Sequence, residues 1–190
     1  MVKLSAQNIT SFLIYNNEIK EDERDVYQYG FETLIASTLY FITVLCLGNI
    51  FDKFIHTLLF MLCYCPIRQF SGGYHADSYR ECFMTFISLY LINVCTLNIF
   101  MHKIPNIVVI SIVLLCAIGI AKLSPQEHRN NPLSTKEKEK YKQIVKRLVI
   151  FYTILITLLL TNNNTYEYGF YIASAIYLIF IMLILGKYKN

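Results

Sequence analysis

Pro66-Ile67-Arg68-Gln69-Phe70-Ser71-Gly72-Gly73-Tyr74-His75-Ala76-Asp77-Ser78-Tyr79-Arg80-Glu81-Cys82-Phe83-Met84 is the longest polar interruption in the first two thirds of an otherwise apolar region. It joins two hydrophobic runs, so its reading decides how the chain is threaded. It holds a Gly-Gly pair, a histidine two residues later and a cysteine seven residues beyond that. Histidine and cysteine are the usual base and nucleophile of thiol acyl transfer.

Of the 190 residues, 55% are hydrophobic and 16% charged. Average globular chains are about 45–50% apolar and about 25% charged, so a membrane protein is the first reading. Six apolar segments follow a polar N-terminus, at roughly 31–50, 54–67, 82–101, 104–123, 145–161 and 166–186. A helix crossing a bilayer core needs about 20 apolar residues, within a range of about 17–25. Four segments meet that length, and 145–161 is at its lower edge. The second is short and contains His56. It is expected to end at Pro66, because the residue before a proline disfavours helical geometry. It reads as a tilted span, a partial re-entrant helix, or a span drawn back through Asp52 and Lys53. The fold class is therefore an all-α integral membrane protein of about six transmembrane helices. One domain covers 1–190, with a polar N-terminal segment 1–30, a loop 66–81 between spans two and three, and a basic loop 122–147. Met1 to Gly30 is too polar for the apolar core of a secretory signal. Within it, residues 4–16 read as a short amphipathic helix with Leu4, Ile9, Phe12 and Leu13 loosely on one side, suited to a membrane interface or to packing.

Cytoplasmic flanks carry excess Lys and Arg. With both termini in the cytoplasm, fifteen of the 17 Lys and Arg fall on that side, and only Lys53 and Lys103 fall outside. His75 and Cys82 then lie at the cytoplasmic face of the cell membrane, where thiols stay reduced. Five of the six cysteines sit in apolar runs as small hydrophobes, and no disulfide framework is expected. No cofactor signature, phosphate-binding glycine motif or nucleic-acid module is expected either.

On one uninterrupted helix, His75 and Cys82 would lie about 10.5 Å apart along the axis. That is too far for a base-to-thiol hydrogen bond, so the chain is expected to bend between them. Ser78-Tyr79-Arg80-Glu81 fits a capping box, which starts the third span after Ser78 and puts Cys82 just inside it. A helix N-terminus and a neighbouring imidazolium both favour a thiolate. Gly72 and Gly73 permit a fold-back and offer backbone N–H groups for an oxyanion. A metal centre on Cys63, Cys65, His75 and Cys82 is the competing chemistry. It is disfavoured because Cys63 and Cys65 point about 200° apart on a helix, and no metal is expected.

Arg68-Gln69-Phe70-Ser71-Gly72-Gly73-Tyr74-His75-Ala76, with Cys82 seven residues after the histidine, resembles the core of the accessory gene regulator B (AgrB) family. Tyr27-Gln28-Tyr29-Gly30-Phe31-Glu32 resembles the family's segment before the first span. Ser124-Pro125-Gln126-Glu127-His128-Arg129-Asn130-Asn131-Pro132-Leu133 resembles its proline-bracketed cytoplasmic loop, with Ser124 where Ala is common. The resemblance runs from about residue 8 to 186. It implies a membrane cysteine endopeptidase of peptide quorum sensing, expected as a homodimer. It implies that His75 is the general base and Cys82 the nucleophile, with Arg68, Gly72, Gly73, Glu32, Pro125, Asn131 and Pro132 in supporting or substrate-binding roles. The implied partner is an AgrD-like precursor peptide with an amphipathic leader, a central signal segment and an acidic tail. Cys82 would release the tail through a thioester, which a Cys or Ser of the precursor then converts into a thiolactone or lactone ring.

An acidic tail needs cations, and Arg68, Arg80 and the Lys122–Arg147 loop offer them. Glu32, at the start of the first span, is costly if buried unpaired, and is expected to pair with Arg68 or to lie at the interface. Gln69, Asp77, Glu81 and Glu32 are candidates for orienting His75. The alternative function is a non-catalytic six-span peptide exporter. It would favour polar residues in mid-span, where Asn93 and Asn98 are the main ones. A membrane-impermeant thiol reagent is expected to label Cys82 from the cytoplasmic side; labelling from the outside alone would reverse the orientation.

Overall fold

The computed structural model describes residues 2–74, 78–127 and 133–189. The regular elements among them are helical: α1 (Val2–Tyr15), α2 (Arg24–Ile50), α3 (Phe54–Ser71), α4 (Tyr79–Phe100), α5 (Asn106–Leu123), α6 (Thr135–Thr161) and α7 (Tyr166–Lys189), with a 3-10 turn at Glu21–Glu23. Five helices, over Glu21–Ile50, Tyr79–Phe100, Asn106–Leu123, Thr135–Thr161 and Tyr166–Tyr188, are long and apolar enough to cross a membrane.

The chain divides within α2 into two compact units, Met1–Cys46 and Leu47–Asn190. In the first, α1 buries Ala6 and Thr10, while Leu4, Ile9 and Phe12 are exposed. Arg24 pairs with Glu21 at 2.6 Å and reaches Ser11 Oγ at 3.2 Å, tying the start of α2 to α1. An open apolar face on a short helix suits a membrane interface.

The second unit is organised on α7. A helix that is apolar all round can be surrounded on most sides, and α7 buries Ile172, Ala173, Ala175, Ile176, Ile179 and Leu183. The α3, α5 and α6 helices pack on it, and α4 touches it more lightly. Ala173, Ser174 and Ala175 are all buried, as small residues at a close helix contact should be. Asn93 Nδ2 of α4 donates to Ser174 Oγ at 3.0 Å. The Thr57 and Tyr90 hydroxyls, from α3 and α4, are 2.6 Å apart.

The two ends of this unit differ. At one end Glu167 Oε2, in the first turn of α7, lies 3.2 Å from Lys53 Nζ and 3.2 Å from His56 Nε2. There too Asn106 Nδ2, at the start of α5, donates to Leu160 O near the end of α6 at 2.7 Å. At the other end, the residues following α3 and α5 bond each other and the last turns of α7. Thus α3 runs beside α7 from Glu167 to Met182, its 18 residues covering about 27 Å. It is not one of the five helices long and apolar enough to cross a membrane.

Pro66 does not end α3, contrary to the sequence expectation; the helix continues to Ser71. A proline inside a helix deprives the carbonyl four residues earlier of its donor. That carbonyl is Leu62 O, and the Tyr152 hydroxyl of α6 donates to it at 2.6 Å. A neighbouring helix can thus satisfy what the proline removes. Residues 66–71 belong to the helix, so the polar loop is shorter than its composition suggests. Tyr152→Phe is expected to destabilise the detergent-solubilised protein by about 0.6–1.7 kcal/mol, the range of an interhelical hydrogen bond. Pro66→Ala restores the Leu62 donor, so the same change in that background is expected to cost much less in equilibrium unfolding.

Candidate active site

Cys82 lies where the cap places it. Ser78 is extended (φ −136°, ψ 152°), its Oγ accepts the Glu81 N–H at 3.2 Å, and α4 begins at Tyr79. The Cys82 N–H donates to Ser78 O at 3.0 Å, which puts the cysteine in the first turn, half-buried. One turn further on, the Phe86 ring lies 5.1 Å from Tyr64 of α3, so aromatic side chains of two helices meet beside this turn. Cys63 is buried and Cys65 exposed, on opposite sides of α3 as the helical period requires.

The Gly-Gly pair ends α3 in a backbone that side chains resist. Gly72 has φ +69° and Gly73 φ +123°. A Cβ on Gly72 would sit 2.1 Å from Gln126 O, and one on Gly73 would sit 3.1 Å from Met182 O. The Gly72 N–H donates to Arg68 O at 3.2 Å, so it caps the helix and is not available to an oxyanion. The Gly73 N–H has no partner among the described residues. Arg68, in the last turn of α3, turns its guanidinium onto this loop: Nη1 donates to Gly72 O and Nη2 to Tyr74 O. That position also sets a cation at the negative end of the helix dipole.

Two further elements close over the loop. The Tyr74 N–H donates to Met182 O of α7 at 2.8 Å. Gln126, directly after Pro125, donates its N–H to Ser71 O at 2.8 Å and its Nε2 to Leu183 O at 2.8 Å. Gly186 lets these strands of chain meet, since a Cβ there would lie 2.6 Å from Tyr74 N. Gln126, Met182 and Gly186 were not among the sequence candidates. Gly186 had one signal, a lone glycine near the end of an apolar span; the partner carbonyls had none.

The basic loop is anchored at both ends. Glu127 Oε1 accepts from Lys138 Nζ at 2.8 Å and from the Leu133 N–H at 3.1 Å. The Lys138 hydrogen bond, then the backbone donor, hold its carboxyl below the usual range. Ser134 caps α6 with a full capping box, its Oγ accepting the Glu137 N–H at 3.3 Å. Phe70 of α3 meets Tyr141 of α6 edge to face at 5.3 Å. The first turns of α6, which carry exposed lysines, thus meet the last turn of α3.

The first unit holds one candidate. Glu32 is buried on α2, and Gln28 Nε2 donates to its Oε1 at 3.1 Å. His75, Asp77, Asn131 and Pro132 lie outside the described residues. Asn93, a candidate mid-span polar group, is used in the bond to Ser174.

The sequence model of the family described as Accessory gene regulator B matches residues 6–185. The chain belongs to this family. "Putative AgrB-like protein 2" of Clostridium perfringens (strain 13 / Type A) is 30% identical over 175 residues, covering 86% of this chain and 78% of that one. "Putative AgrB-like protein" of C. perfringens (strain SM101 / Type A) is 28% identical over 172 residues, covering 85% and 77%. No solved structure matches it significantly. Two glycine substitutions separate a loop role from a general helix effect. Gly73→Ala meets Arg68 Nη1 and the Met182 carbonyl and is expected to disrupt the loop, whereas Gly30→Ala enters open space in a helix and is expected to be neutral or stabilising by up to about 1 kcal/mol. Thermal unfolding, together with the alkylation rate of Cys82, checks the contrast.

Proposed function

We propose that this AgrB-family chain is a membrane cysteine endopeptidase that removes the acidic C-terminal tail of an AgrD-like precursor and promotes ring closure. Family membership suggests a role in quorum-sensing peptide processing. The observation that carries the enzymatic reading is the pair of fixed segments on either side of residues 75–77. Cys82 opens a capped helix, and the residue leading into His75 is held through both its N–H and its carbonyl.

In this reading His75 takes the Cys82 proton, and Sγ attacks the carbonyl carbon at the end of the signal segment. The C–N bond breaks, the proton passes from His75 to the leaving amine, and the tail departs with a new N-terminus. A precursor Cys or Ser side chain then attacks the thioester carbonyl, giving its proton to the base and releasing Cys82. The ring closes without water, so water must be restricted around the thioester; the Tyr64 and Phe86 side chains are suited to that. With the Gly72 N–H committed to the helix cap, the Gly73 N–H is the one left to serve an oxyanion. Arg68 also changes role. Its donors hold the loop, so the exposed lysines of α6 are better suited to meet the acidic tail.

The charge asymmetry supports six spans with both termini and the site at the cytoplasmic face, with α3 as the second span. A homodimer completes the reading. The pairing of Asn93 with Ser174 uses one of the two mid-span polar groups on which an exporter reading would rely. Co-expression with a precursor tests the mechanism. Cys82→Ala and His75→Ala are each expected to abolish tail release, with Cys82→Ala forming no thioester; cleavage persisting in both would refute it.

A further inference from the structure

We infer that Gln126 is a positioning residue of the active site, seated against Gly186, so that the last turns of α7 form part of the frame that holds the catalytic loop. The inference rests on the cysteine-peptidase reading above and adds a residue that the sequence did not nominate for it. Gln126 touches the loop through two backbone groups and α7 through its side chain. Its N–H bonds Ser71 O, the last residue of α3, and its own carbonyl lies where a side chain on Gly72 would have to go. Its Nε2 bonds Leu183 O, which fixes the amide and settles which way Oε1 points. Oε1 is buried with no donor among the described residues. It lies 2.5 Å from where a Gly186 Cβ would stand; Tyr74 N and Gly73 C lie 2.6 Å from the same point.

A buried amide oxygen without a donor is costly and calls for an explanation. Here it stands beside the peptide that enters the catalytic segment. The unused acceptor stands close to the Gly73–Tyr74 peptide, while Met182 O and Arg68 fix that peptide from either side. Gly186 is the condition for all of this, because any side chain there would displace the loop or the amide. The ligating geometry of this seat comes from three separate parts of the chain, at 71–74, 126 and 182–186.

The test uses the full-length protein in lipid nanodiscs with precursor peptide. The variants are Gln126→Met, which keeps the volume but loses both amide groups, Gln126→Glu, which keeps the acceptor, and Gly186→Ala. Cleavage kinetics are read together with the pH dependence of Cys82 alkylation and with thermal unfolding. Gln126→Met is expected to lower kcat by about ten- to a hundredfold with KM little changed. Its alkylation profile is expected to move towards that of a simple thiol, and Gln126→Glu to recover part of both. Wild-type turnover and alkylation in Gln126→Met, with Cys82→Ala inactive, would overturn the inference and leave the peptidase reading standing. A uniform loss of alkylation at every pH, in step with lowered thermal stability, would also overturn it by showing a structural role alone. Cleavage persisting in Cys82→Ala would instead remove the peptidase reading. If Gly186→Ala fails to fold, the two Gln126 variants decide the question.

Discussion

The Leu62 carbonyl, left without its helical donor by Pro66 and taken up by the Tyr152 hydroxyl, shows the constraint on which this structure depends. Among apolar helices there is little water to satisfy a stray N–H or C=O, so each needs a partner within the protein. Where a helix supplies its own partners, the sequence is simply apolar. Where the backbone departs from the helix, a side chain or a second segment has to supply them. The Gly-Gly loop is such a departure, and Arg68, Gln126 and the carbonyl of Met182 supply its partners.

That requirement links the fold to the candidate chemistry. A nucleophile and a base on one straight helix would stay too far apart. A bend brings chain segments together but exposes backbone groups. Here the polar partners come from α3, from the segment after α5 and from the last turns of α7. The same contacts that satisfy the backbone also fix the peptide next to His75. The central position of α7 follows from its all-round apolar surface, and its glycine near the end admits the loop.

Much of the fold was legible in the sequence because it depends on local periods. The lengths of the apolar runs marked the helices. Ser78 and Ser134 marked two helix starts, since a cap is a contact within four residues. The spacing of His75 and Cys82 led to the expectation of a bend between them, and the Ser78 cap gave the helix start that follows it. The reading of Pro66 as a terminus failed because the rule for proline describes the chain in isolation. It does not count a tyrosine hydroxyl contributed from a residue far along the chain. The assignment of Gly72 to an oxyanion failed for a related reason, as its N–H was needed to cap α3. Arg68 was a candidate cation for an acidic tail, but its bonds to the Gly72 and Tyr74 carbonyls could not be read from its charge.

The sequence by itself determined the helical class, the apolar segments, the family, the capped start of α4 and the placement of Cys82 in its first turn. Composition, spacing and short-range hydrogen bonds are enough for these, because they involve residues close together in the chain. Only the tertiary structure decided that α3 runs beside α7 from Glu167 to Met182, that Pro66 lies within a helix, and that Gln126 and Gly186 form the seat of the Gly-Gly loop. Those outcomes depend on which distant carbonyl meets which donor, and on whether two backbones can approach without a Cβ between them.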